Sequence, residues 1–77
     1  MSMFQTIQKI DRIHQLIRME ATGAPDEFAG KLHLKKRQLF NILAEFREQG
    51  ADIQYSSFRS TYYYRNNFVI PYLTRNS

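Results

Sequence analysis

The chain has 77 residues, 43% of them apolar and 14% aromatic, which is enough for one folded domain and not for two. A domain of this size buries about 60–65% of the surface its unfolded chain exposes, which argues against the deep cleft of a large α/β enzyme. The absence of cysteine excludes a disulfide framework, a thiolate zinc site and a thiol nucleophile, and eleven Lys and Arg against seven Asp and Glu leave a net charge of +4.

The first expected element is a helix over about 3–20. Met3, Ile7, Ile10, His14 and Ile17 recur at spacings of four, three, four and three, and Ile13 widens this apolar stripe. Gln8, Asp11, Arg12, Gln15 and Arg18 fill the remaining surface, and Leu16 falls off the stripe. The helix is expected to stop around residues 21–23, with Gly23 as the residue that accepts a left-handed conformation. Pro25 opens a second, short helix over about 25–32, with Asp26 and Glu27 facing the positive end of its dipole and Phe28, Ala29 and Leu32 as its inward face. Gly30 weakens that helix by roughly 1 kcal/mol relative to Ala, so a neighbouring backbone in close approach is its expected reason.

A tight connection at residues 33–35 leads to a third helix over about 36–49. Leu39, Leu43 and Phe46 share a face with Ile42 beside them, and Gly50 is placed as the stop. Beyond Gly50 the period becomes alternating, and two runs around the polar segment 56–60 read as an antiparallel hairpin over about 52–64. Tyrosines 62–64 are expected to send alternate rings into the core, either Tyr62 and Tyr64 or Tyr63 alone, in preference to stacking on unpaired bases. The tail, 65–77, includes the apolar stretch from Phe68 to Leu73, read as a short edge strand or as a cover for the core, before frayed last residues. The expected fold class is α+β in one domain spanning 1–77: three helices followed by a β-hairpin.

The charge is unevenly distributed. Lys31, Lys35, Lys36 and Arg37 fall together with no acid between them, and such a block attracts phosphate through a sequence-independent, salt-sensitive term. Three helices and a hairpin, with the cations at the start of the third helix, are the layout of a winged helix-turn-helix, whose second motif helix enters the major groove. A helix there needs cations near its N-terminus and polar groups on its outward face. Lys35, Lys36, Arg37, Gln38 and Asn41 meet that need.

The segments "IDRIHQLIRMEATGAPDEFAGKL", "LKKRQLFNILAEFREQGADIQY" and "TYYYRNNF" carry a resemblance. Between Ile10 and Tyr64 the chain resembles the small winged helix-turn-helix domains of DeoR-like and biotin-repressor-like regulators, particularly short stand-alone ones of Bacteroidetes type. The resemblance implies sequence-specific binding of double-stranded DNA and transcriptional regulation. It further implies contacts from Lys36, Arg37, Gln38 and Asn41 on the third helix and from Arg59 in the wing. The chain departs from the family at Lys35, where a Ser cap is usual, at His33, where Gly is usual, and at Ala24, where a capping hydroxyl is usual. Loss of such a hydroxyl costs about 1 kcal/mol.

Within this reading Arg37 suits a bidentate bond to guanine, Lys35 and Lys36 suit phosphates, and Gln38 and Asn41 suit adenine. His14 reads as a packed core histidine and His33 as a turn residue, and two isolated histidines make no metal site. No cofactor is expected. Asp26 and Glu27 point apart on a helix, and Ser56 and Ser57 lack an activating His–acid pair, so no enzyme is expected and no small-molecule substrate. No apolar run approaches the roughly 20 residues of a membrane span, and the N-terminus lacks a signal-peptide layout, so a cytoplasmic location is expected. Phe40, Ile42, the Met3–Phe4 pair and the tail offer apolar surface, which suggests a homodimer reading two half-sites. The rival is a winged-helix protein-interaction module using Phe40, Ile42 and the tyrosine strand.

Overall fold

The computed structural model describes residues 3–69. In order along the chain they form α1 (Met3–Arg18), α2 (Pro25–Lys31), α3 (Lys36–Glu48), β1 (Ile53–Ser56) and β2 (Thr61–Tyr64). The strands pair antiparallel, with Ile53 opposite Tyr64 and Ser56 opposite Thr61. This is the small α+β arrangement of three helices and a hairpin that the periodicities predict. The side chains of Met3 and Phe4 and the stretch 70–73, read above as added apolar surface, lie outside the described residues, as do the last residues of the tail.

One core joins all five elements. Ile13 and Ile17 of α1, Phe28 of α2, Leu39 and Leu43 of α3 and Ile53 of β1 are almost completely buried, and Tyr62 of β2 closes the cluster. Fully burying a side chain of Phe or Leu size stabilises a fold by about 1.5–3 kcal/mol, so these few residues dominate the stability of so short a chain. Leu16 and Ile42 pack against the cluster from its edge, as does Leu34 in the connection between α2 and α3. Phe68 also covers the core, with its ring centroid 5.9 Å from Phe46 and 5.6 Å from Tyr64.

The three helices end alike. The amide of Ala21 donates to Leu16 O and that of Glu20 to Ile17 O; Leu34 donates to Ala29 O and His33 to Gly30 O; Ala51 donates to Phe46 O and Gly50 to Arg47 O. Each set is a Schellman closure, which satisfies carbonyls that the helix leaves open and needs one left-handed residue. Gly50 fills that place in α3 with φ 109°, as expected, but Glu20 (φ 54°) and His33 (φ 56°) fill it in α1 and α2. The stop expected around residues 21–23 comes slightly earlier: the chain turns at Glu20, and Gly23, also left-handed (φ 77°), bends the loop beyond it. An added Cβ at Gly23 would stand 2.8 Å from Glu27 Oε1, so this glycine is needed for space as well as conformation. Gly30 is different. Nothing lies within 4 Å of where its Cβ would be, so the close approach expected there is absent.

Hydroxyls invisible to hydrophobic periodicity fasten the hairpin. Thr22, in the loop after α1, and Thr61, at the start of β2, are both buried, with their oxygens 3.1 Å apart. Thr61 Oγ1 accepts from the Thr22 amide, and Thr22 Oγ1 accepts from the Tyr62 amide at 2.9 Å. These bonds cover the outer edge of β2 and satisfy groups whose desolvation would otherwise cost about 1–3 kcal/mol each. On the other edge Arg47 donates through Nε and Nη2 to Ile53 O. Asn66 ties the base of the hairpin to the end of α3, donating to Gly50 O and accepting from the Asp52 amide.

Tyr62 and Tyr64 lie on the face that carries Ile53 and Tyr55, while Tyr63 pairs with Gln54 on the other. The tyrosine run is therefore a strand packing two rings inward. The Tyr64 hydroxyl lies 2.8 Å from His14 Nδ1, which makes His14 the packed core histidine the sequence implies.

Candidate functional site

α3 begins at Lys36 without a side-chain cap from Lys35. Its first turn is held by the reverse bond alone, in which the Lys35 amide donates to Gln38 Oε1 at 3.0 Å. α2 is held the same way, with the Ala24 amide donating to Glu27 Oε1 at 3.0 Å. The departures at Lys35 and Ala24 thus lose one half of each capping box and keep the other. His33 enters a left-handed conformation in place of glycine, at a cost of about 1–2 kcal/mol, and the turn still closes.

Leu39, Leu43 and Phe46 face the core, and at 100° per residue the outermost row of α3 is Arg37, Asn41, Ala44 and Glu48. All four are exposed, as are Lys35, Lys36, Gln38 and Phe40. Five of the six expected contact residues are thereby gathered at one end of one helix. They are not equivalent. Gln38 Oε1 is occupied by the helix start, accepting from the Lys35 amide. Lys36 Nζ lies 3.1 Å from Asp26 Oδ1 in a pair exposed on both sides. Lys35 and Arg37 have no acidic partner among the described residues.

Charge divides α3 along its length. Lys35, Lys36 and Arg37 precede and open it, and Glu45 and Glu48 lie in its second half, where Arg47 is turned to the β1 edge. Beside the α2–α3 turn, α1 contributes Lys9 and Arg12 to an open groove that also contains Gln8, Lys31, Leu32 and His33. Within it the Lys31 ammonium donates to Ala21 O at 2.7 Å. Lys9 and Arg12 were not singled out from the sequence, although their spacing of three on a helix signals a shared face.

Arg59, the sixth expected contact, is elsewhere. Its guanidinium is ion-paired with Glu20, at the end of α1, and lies 5.2 Å from the centre of the Tyr63 ring. Its amide donates to Ser56 Oγ, which tightens the hairpin loop. The residue presented at the loop's tip is Phe58, 96% exposed.

His14 and Tyr64 have displaced proton affinities. Burial, aided by the Arg18 charge and opposed by Asp11, holds the His14 imidazole below its ordinary value, and burial pushes the Tyr64 phenol well up. Both shifts belong to the core. Among the described residues no group of three or more His, Asp or Glu is placed to hold a metal ion, and no helix is long and apolar enough to cross a membrane. Comparisons with family models, with curated proteins and with solved structures each return no match to this chain.

Proposed function

We propose that this chain is a winged helix-turn-helix that binds double-stranded DNA sequence-specifically, as a transcriptional regulator. α3 enters the major groove by its N-terminal half, and the hairpin serves as the wing. The observation that carries this reading is the division of charge along α3. A groove flanked by phosphates attracts the half bearing Lys35, Lys36 and Arg37 and repels the half bearing Glu45 and Glu48, so the helix enters by one end. Lys9 and Arg12 add positive charge on α1, beside the α2–α3 turn. Arg59 joins the backbone contact only by exchanging Glu20 for a phosphate.

The rival, a protein-interaction module, keeps one observation in its favour, the exposed rings of Phe58 and Phe40. Ile42, Tyr62 and Tyr64, on which it would also rest, are turned to the core. Selection of bound sequences from a random duplex pool separates the two. DNA binding gives an enriched motif whose affinity falls with salt, each phosphate contacted adding about −0.9 to the log–log slope. A motif with two-fold symmetry would add the homodimer. No enrichment, together with negligible duplex affinity at physiological salt, removes the proposal.

A further inference from the structure

Phe40 is an anomaly on the proposed reading helix. Its ring is 44% exposed in the first half of the helix, whose other exposed residues are cations and amides. Leu39 and Leu43 occupy the core positions on either side, so the ring is held outward by the same rotation that buries its neighbours. Phe40 and Ala44, four residues apart, lie about 40° from each other on the helix and form an apolar row. Arg37 and Asn41 form a second row with the same spacing, immediately beside the first. The exposed front of α3 therefore carries one polar row and one apolar row, side by side.

The major groove offers one apolar group to match. Guanine, cytosine and adenine present hydrogen-bond donors and acceptors there, and thymine alone adds a C5-methyl, which aromatic and methyl side chains contact. An A·T pair thus offers adenine N6 and N7 to an amide and a methyl to a ring, and Asn41 and Phe40, about 100° apart around the helix, display those two chemistries towards neighbouring base pairs. Resting on the DNA-binding reading, we infer that Phe40, backed by Ala44, is a specificity-determining residue that recognises the C5-methyl of thymine beside the base pair read by Asn41.

The test uses the full chain and the duplex it selects. Each thymine in the motif is replaced in turn by deoxyuridine, which removes the methyl and leaves pairing intact, and affinity is measured by fluorescence anisotropy for wild type, Phe40→Ala and Phe40→Leu. Loss of one buried methyl corresponds to about a four-fold weakening. Wild type should lose three- to five-fold at one or two thymines, and Phe40→Ala should bind the thymine duplex more weakly and be indifferent to deoxyuridine at those places. Phe40→Leu, which keeps an apolar side chain, should retain part of the discrimination. Wild type that binds its motif and ignores every deoxyuridine overturns this inference and leaves the DNA reading standing. Equal methyl sensitivity in wild type and Phe40→Ala assigns the methyl contact to another residue and overturns it too. Failure to select any duplex overturns both. A wild-type dimer in sedimentation that Phe40→Ala dissociates would show instead that a second copy covers the ring. The wild-type deoxyuridine series stands even if a variant misfolds.

Discussion

The front of α3 and the loop of the hairpin present two arginines, both exposed and each followed by a polar residue. Arg37 has no acidic partner among the described residues, whereas Arg59 is joined to Glu20 and lies over Tyr63. The difference is one of supply. The acids of α3 begin at Glu45, about two helical turns beyond Arg37, and Asp26 of α2 meets Lys36. The loop that carries Arg59 is packed across the end of α1, where the Schellman closure turns the backbone at Glu20. The arginine at the helix front stays open to solvent, and the arginine folded against another element's end becomes part of the scaffold.

The sharpest way to break this contrast is to remove each arginine and measure both affinity and stability. Arg37→Ala should lower specific duplex affinity by about 1–3 kcal/mol and relax preference at one base pair, while the thermal midpoint stays put. Lys36→Ala should weaken all duplexes alike and flatten the salt slope by about one contact. Arg59→Ala should do the reverse, costing up to about 1 kcal/mol of folding stability from the exposed ion pair and the ring contact, with little change in affinity. A double-mutant cycle with Glu20→Gln, followed by urea unfolding, isolates the pair. If Arg59→Ala instead weakened DNA binding and left the unfolding midpoint unchanged, the division between reading helix and scaffold would collapse.

Gly30→Ala tests the scaffold without touching either arginine. With open space where the new methyl would sit, the substitution should raise stability by about 0.5–1 kcal/mol, seen as a higher thermal midpoint with unchanged duplex affinity. The smallest effect is one of pH. His14 has a lower proton affinity folded than unfolded, so between its folded pKa and the unfolded value of 6.5 the unfolded chain binds more protons. Its contribution to stability is fully present above 6.5 and is lost as pH falls through the folded value, and His14→Gln should flatten that part of the profile. The loss should appear first in the hairpin, because Tyr64 is the side chain bonded to the imidazole.

Most of the fold was legible because its signals are local. The i, i+4, i+7 run of Leu39, Leu43 and Phe46 and the change to alternation after Gly50 each act over one element, and the elements formed within about two residues of where those periods place them. What escaped depends on partners far along the chain. Thr22 and Thr61 are 39 residues apart, and so are Arg59 and Glu20. No period connects such pairs; only packing α1 against β2 brings them together. Glycine was also a misleading guide to the end of α1, because the backbone bonds of the Schellman closure tolerate a left-handed glutamate. At the candidate site, the cluster on α3 could be read because five of its members are neighbours in sequence. Lys9 and Arg12 could not be placed beside Lys31 and His33 until the groove they line was formed.

The placement of Arg47 has a consequence for how the molecule behaves in a crowd. In an antiparallel ladder the outward-facing backbone groups alternate, and with Ile53 O facing out, the next outward pair on β1 belongs to Tyr55. Thr22 caps the Tyr62 amide on the far side of the hairpin and the guanidinium caps the Ile53 carbonyl on the near side, so a foreign strand finds each margin partly occupied. The two-stranded ribbon is thus blunted at both margins, which makes it a poorer template for copies brought together at high density.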